Sequence, residues 1–296
     1  MIFIVIPVFN RKEYTRECIY SLLKQRTTAF KIIVVDHGSV DGTSEMIINE
    51  FPSVVLLSGD NSLWWTGATN IGVTEALKLS TSGSDLVLTL NNDLVVNPDY
   101  LEQLLLVYEQ NKPCLVGSTS VYFDDNERIQ FAGISWNSYL AKFKSNPVNN
   151  RQYSSIVNQV SYLPTDLLTG RGTLIPISAF KEVGLYDEEK FPHYAADEDF
   201  SLSCKRKGYK LLVSVSACVK SHVRDTGINF KHNKLSFRQF FKTLYSIKSA
   251  NNLSIRYKWA KKNSPIPYFY FLMDVLRIFG SYSRSLLDSR FGKSYN

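Results

Sequence analysis

Short apolar runs punctuate the first third of the chain, and most are followed by a stretch with apolar residues three and four apart. FIVIPVF (3–9), KIIVVD (31–36), VVLLS (54–58) and LVLTLNND (86–93) have the length and composition of buried strands. TRECIYSLLKQ (15–25) and ATNIGVTEALKLS (68–80) carry the helical spacing. Gly38, Ser39, Asp41 and Gly42 make a turn, and Thr43 or Ser44 is placed to cap the helix after it. Asn97-Pro98-Asp99 opens a further helix, with proline at an early position. Strand-helix alternation of this kind predicts an α/β fold: a mostly parallel, Rossmann-like sheet with helices on both faces.

The pattern changes after residue 113. Short strands and turns run to 165, and SNPVNNRQYSS (145–155) reads as a mobile loop. Order returns with LLTGRGTLIP (167–176), a helix over SAFKEVG (178–184), acids at 197–199 opening a helix to Lys207, and the strand KLLVSVSACV (210–219). The charge changes too. Residues 1–225 hold 21 Lys and Arg against 25 acids, whereas 226–296 hold 13 against only Asp274 and Asp288. The expected organisation is a globular domain over 1–225, in two halves meeting at 112/113, followed by a helical basic and aromatic extension over 226–296.

Composition narrows the classes. An apolar fraction of 44% excludes general disorder. The four cysteines show no metal-ligand spacing and fit a reducing compartment. Pro7 interrupts the apolar amino terminus, which lacks a basic leader and so does not read as a signal peptide. No window approaches the roughly 18 apolar residues of a membrane span. The extension interleaves cations with Phe237, Phe240, Phe241, Tyr245, Tyr257 and Trp259, which suits an anionic membrane surface. Packing on the domain or self-association competes with that reading, and nucleic acid is the least favoured partner.

Several polar residues sit where ligands bind, at the carboxyl ends of strands. Asp93, after Asn91 and Asn92, can hold a divalent cation and through it a diphosphate. Asp36 either accepts a hydrogen bond from a nucleoside or shapes a turn. Gly67, where a loop hands over to a helix, permits close approach of a ligand or simply close packing. Trp64 and Trp65 read as core. Asp197, Glu198 and Asp199 either complement a helix dipole or include a general base. His222, on a polar strand exit, is a candidate for metal or phosphate, and Arg171 one for phosphate or acceptor.

IPVFNRKEYTRECIYSLLKQ (6–25), KIIVVDHGSVDGT (31–43), NxxWWTGATNIG (61–72), LTLNNDLVVNP (88–98), GxLIPISAFKEVGLYDEEKF (172–191) and ADEDFSLSCKRKGYK (196–210) occur in the order found in family 2 glycosyltransferases of the GT-A fold, and the chain resembles that family over about 1–225. The resemblance implies an inverting transferase that takes a UDP- or dTDP-linked sugar. Its acceptor would be a glycan hydroxyl, lipid-linked in the bacterial surface-polysaccharide type, at the cytoplasmic face of the membrane. It implies Mg²⁺ or Mn²⁺ on Asp93, with His222 as a second ligand, since Asn91 stands where the family's metal motif has its first acid. Donor contacts would come from Pro7, Phe9, Asp36, Gly67, Asn70, Asn91, Asn92 and Arg171. Counting back from Gly208-Tyr209 puts the family's base on Asp197, with Asp199 the runner-up, and leaves Glu198 and Asp199 for the acceptor. Two rivals remain. A nucleotidyltransferase would want a glycine-rich loop after the first strand, where Pro7-Val8-Phe9-Asn10 stands. A non-catalytic binding subunit would not need Asp93 and Asp197 together.

Overall fold

A computed structural model describes residues 1–27, 29–222 and 236–290, so the 225/226 boundary lies outside the described residues. The first half runs β1 (Ile2–Val8), α1 (Lys12–Leu23), β2 (Phe30–Asp36), α2 (Thr43–Glu50), β3 (Val55–Ser58), α3 (Trp64–Leu79), β4 (Leu86–Thr89), β5 (Leu94–Val96) and α4 (Tyr100–Asn111). The second runs β6 (Cys114–Tyr122), β7 (Asp125–Phe131), β8 (Ile134–Asn137), β9 (Lys142–Ser145), β10 (Tyr162–Pro164), β11 (Thr173–Pro176), α5 (Ile177–Val183), α6 (Ala196–Arg206) and β12 (Lys210–Ser221). The extension forms α7 (Phe237–Tyr245), α8 (Leu253–Asn263) and α9 (Pro267–Arg290).

One sheet runs β10-β12-β6-β11-β4-β1-β2-β3. The pairs among β1 to β4 are parallel, and so is β6 with β12. β11 is antiparallel to both β4 and β6, and joins the two halves into one sheet. Strand alternation sorts the core onto two faces. Ile2, Ile4, Ile6 and Val8 face Cys18, Ile19 and Leu22 of α1 and Leu104 of α4. Phe3 and Val5 face Val73 and Ala76 of α3.

Pro7 is at home in this central strand for a reason of register. Val5 O accepts from Leu90 N on the β4 side, and Val8 O accepts from His37 N on the β2 side. Alternation therefore points the missing N–H of Pro7 toward β4, which has already ended at Thr89.

The sequence reading differs from the fold in two places, and for the extension the fold takes the packing alternative. The helix after Gly42 takes its cap from Asp41, whose carboxylate accepts from Thr43 N and Oγ1, while Ser44 Oγ donates back to Asp36. Residues 145–155 are tied to the sheet: Asn149 Oδ1 accepts from Ala132 N, Ile129 N donates to Arg151 O, and Tyr153 OH donates to Val215 O. The extension is part of the core. Ile255, Trp259, Ala260 and Tyr270 join the apolar cluster that contains Phe191 and Phe200. All four cysteines are buried and unpaired in disulfides. No helix among the described residues is long and apolar enough to cross a membrane.

Candidate active site

A cleft of about 1150 Å³ opens at the carboxyl ends of β1, β2 and β4, where the open sheet leaves room for a ligand. That volume exceeds the several hundred Å³ a single small molecule needs. Pro7, Phe9 and Arg11 come from the β1 exit, His37 from the β2 exit, and Asn91, Asn92 and Asp93 from the β4 exit. Thr169, Gly170, Arg171, Asp197 and Glu198 face them from the second half.

The β1 exit is strained. Asn10 and Arg11 both have left-handed backbones, at φ 59° and 63°, a conformation that costs non-glycine residues about 1 kcal/mol or more each. Hydrogen bonds to the neighbouring loop hold it: Asn10 N donates to Ser39 Oγ, and Val40 N donates to Asn10 Oδ1. The bend carries Arg11 to Asp93, with Nη1 3.3 Å from Oδ2. Asp93 is 5% exposed. Burial pushes its carboxyl above the usual carboxylate range, against the opposing pull of Arg11, Arg171 and His222.

Arg171 is aimed by its two glycines. A Cβ on Gly170 would lie 2.5 Å from the ring of Trp65. Gly172, at φ +89°, would place one 2.3 Å from the Tyr100 hydroxyl. Trp65 in turn donates through Nε1 to Asn91 Oδ1 at 3.0 Å.

Asp197 lies in the first turn of α6, entered through the left-handed Ala195. Its carboxylate is fixed on both oxygens, accepting from Gly170 N at 2.6 Å and from Glu198 N at 2.9 Å. Burial raises its proton affinity despite those donors. Glu198 beside it is pushed up to about 7, by burial first and by the Asp197 charge second. Two carboxyls in contact with one cleft and reluctant to ionise make a proton-accepting centre.

Five expected site residues lie outside the cleft lining, each engaged elsewhere. Asp36 is a turn acid: its carboxylate accepts from Gly38 N, Ser39 N and Ser44 Oγ, and His37 takes the cleft-facing place. Gly67 packs against Leu63 and Glu188. Asn70 clamps the 186–188 segment, donating to Tyr186 O and Glu188 Oε2 and accepting from Tyr186 N. Asp199 is 2% exposed and bound by Lys262 and Asn263 of α8. His222 is stacked between Tyr14 and Phe123, with Nε2 3.0 Å from Glu17 Oε2; only its backbone N–H reaches Asp93, at the carbonyl.

Other lining residues carried little sequence signal. Trp64 lines the cleft, and Trp65 both lines it and packs against the core, edge-on to Tyr186, as the first turn of the helix that begins at Trp64 reaches the sheet exit. His193 packs on Trp64 and is held near 4 by burial, and His37, stacked on Phe9, is also lowered by burial. Both imidazoles are thus neutral at pH 7. Lys248, Arg256, Trp259 and Arg277 of the extension complete a wall.

A divalent cation fits here only in company. No group of three His, Cys, Asp or Glu side chains converges among the described residues. Asp93 offers one carboxylate, and the Asn91 amide oxygen is engaged by Trp65. Magnesium is commonly held by one or two carboxylates plus substrate phosphates, and that donor set matches a cation arriving with a diphosphate.

Residues 3–184 match the model of the glycosyl transferase family 2. Among curated proteins, the chain is 25% identical over 145 residues to the glycosyltransferase GlyA of Streptococcus pneumoniae, covering 48% of this chain and 20% of GlyA. It is 27% identical over 199 residues to an uncharacterised glycosyltransferase of Rickettsia typhi, covering 65% of this chain and 56% of that one. The chain thus spans from a fifth to little more than half of these relatives. Among solved structures, the mannosyltransferase PcManGT of Pyrobaculum calidifontis, in complex with GDP-Man and Mn²⁺, superposes with a TM-score of 0.57 at 11% identity. That match covers 99% of this chain and 76% of PcManGT. Residues 1–349 of Staphylococcus aureus TarS superpose at 0.53 with 13% identity, covering 100% and 93%. These likenesses identify the fold as GT-A. With more than half of its length matched by the family model, the chain belongs to glycosyl transferase family 2.

Proposed function

We propose that the chain is an inverting glycosyltransferase that moves a sugar from a nucleoside diphosphate to an acceptor hydroxyl, with Asp197 as the base. The observation that carries this reading is the placement of Asp197, fixed by two backbone N–H groups and raised in proton affinity, in the same cleft as Asp93 and Arg171. The first half, to residue 112, holds the donor, and the second half orients the acceptor. Pro7, Phe9 and His37 border the nucleoside, while Arg11 and Arg171 meet the diphosphate. When bound, a Mg²⁺ or Mn²⁺ on Asp93 would supply further charge neutralisation at the leaving group. PcManGT and GalNAc-T7, the latter solved with UDP, GalNAc and Mn²⁺, support nucleotide and metal by likeness of fold.

Asp197 takes the hydroxyl proton as the acceptor oxygen forms its bond to the anomeric carbon. The bond from that carbon to the diphosphate breaks, and its electron pair leaves with the nucleoside diphosphate. Attack from the opposite face inverts the centre in one displacement. A two-step route needs a second carboxylate as nucleophile. Burial and the neighbouring Asp197 charge both disfavour the Glu198 carboxylate that such a route would need.

The acceptor we favour is lipid-linked, as in bacterial surface-polysaccharide assembly, with the enzyme lying on an anionic membrane. The exposed aromatic and aliphatic side chains of α7 and α9 support that placement.

A screen of nucleotide sugars for release of nucleoside diphosphate, with and without Mn²⁺, tests the reading. One donor should saturate the enzyme. Asp197→Asn should lower turnover by about a thousandfold or more, while calorimetry finds the nucleoside diphosphate affinity nearly unchanged. Near-normal turnover in that variant would overturn the assignment of the base.

A further inference from the structure

The cleft wall supplied by the extension contains a charge arrangement that the transfer reaction does not use. Asp274 of α9 is fully buried and serves two arginines at once. Arg277 Nη2 bonds one carboxylate oxygen, and Arg256 Nη1 lies 3.5 Å from the other. Each guanidinium is also fixed through Nε to a backbone carbonyl, Arg256 to Ala250 O at 2.7 Å and Arg277 to Ala141 O at 3.1 Å. Both lie 5.8 Å from the ring centre of Phe143. All three side chains line the cleft.

One acid against two arginines leaves a positive charge at the lining of the cleft. Among the described residues, Nη2 of Arg256 and Nη1 of Arg277 bond no protein acceptor. Each arginine thus keeps part of its guanidinium fork for a ligand in the cleft. The pair stands beside Glu198, whose carboxyl feels the Arg256 charge, and so belongs to the side of the cleft that holds the base. The leaving diphosphate has its own cations in Arg11 and Arg171, around Asp93.

We infer that Arg256 and Arg277 form a phosphate subsite for the acceptor, so that the hydroxyl presented to Asp197 belongs to a phosphate-bearing molecule. The inference rests on the proposed transfer reaction and narrows its substrate class. Phe143 gives the subsite an apolar floor, against which a sugar ring can lie between phosphate and base.

The test uses the full chain, saturated with whichever of UDP, dTDP or GDP it binds, so that the donor's phosphate contacts are occupied. It is then titrated with glucose 1-phosphate and, separately, with a short-chain phosphatidic acid kept below its micelle concentration, so that the exposed apolar patch of α7 and α9 meets no bilayer. Binding of the sugar phosphate marks a soluble phosphate ester as the source, and binding of the short-chain phosphatidic acid alone marks a lipid phosphate. In either arm Arg277→Gln should weaken binding by about tenfold, and Arg277→Lys should restore part of it, with nucleoside diphosphate affinity unchanged. Should Arg277→Gln not fold, Arg256→Gln, which leaves Asp274 paired with Arg277, makes the same comparison. The subsite is refuted if neither probe binds the saturated chain, or if the glutamine variant binds as tightly as the parent. A chain that binds no nucleoside diphosphate fails earlier, and refutes the donor reading instead.

Discussion

At the scale of single residues, Glu198 offers the sharpest measurement. Its proton affinity rises from the ordinary 4.5 to about 7 in the folded chain. The folded state therefore keeps a proton that the unfolded state releases. The resulting stabilisation is fully present below 4.5 and is lost as pH rises through 7. Glu198→Gln removes the penalty, so its melting temperature should exceed that of the parent at pH 8 and match it at pH 4.5; equal melting at pH 8 would contradict the shift. Asp93 and Asp197 were legible in the sequence because a strand end and a count from Gly208-Tyr209 fix their places. Asp36 was legible in position but not in orientation. Whether a strand-end acid turns toward the ligand or toward the next turn depends on nearby donors, here Gly38, Ser39 and Ser44, which bond it away from the cleft. Gly67 and Asn70 follow the same rule: their partners at 186–188 lie more than a hundred positions away, beyond any local pattern.

Among the elements, α8 departs furthest from its sequence signature. Its spacing and charge suggest a surface helix, yet Trp259 is 2% exposed and its indole N–H donates to the Tyr270 hydroxyl at 3.1 Å. Tyr270 also accepts from Trp136 Nε1, which binds the β8–β9 hairpin to the extension. Lys262 and Asn263 close the back of α6 on Asp199, two residues after Asp197. Trp259→Ala should thus cost about 3–5 kcal/mol in chemical denaturation, a core-sized loss. A change below about 1 kcal/mol would show that α8 is a loosely attached appendage. The strands and first helices of the first half were readable because their apolar periods are local. The contribution of the extension was not, since it depends on which face of the second half is left uncovered.

For the whole molecule, the contrast in charge between the two parts is matched by a contrast in surface. Phe237 and Phe241 of α7 touch at 4.6 Å, Phe241 meets Phe279 of α9 at 6.3 Å, and Leu272 and Leu276 lie exposed on α9. Arg238 and Lys242 flank this patch in sequence. Apolar side chains ringed by cations suit an anionic bilayer, where each Lys or Arg near the surface adds about 1 kcal/mol. The full chain should float with anionic liposomes at low salt, and Leu272→Asp with Leu276→Asp should abolish flotation while leaving nucleoside diphosphate binding intact. A chain that stays at the bottom of the gradient as a stable dimer would instead mark the patch as an interface between copies.

The pairing of Asp199 with Lys262 and Asn263 spans more than sixty positions and carries a consequence in time. Translation delivers the sheet and α6 before α8, and domains fold as they emerge. For that interval the Asp199 carboxylate stands in water without Lys262 and Asn263, and the cleft lacks the wall that Arg256, Trp259 and Arg277 supply. A chain cut short ahead of α8 therefore keeps the polar residues at the strand ends but loses the far side of the cleft.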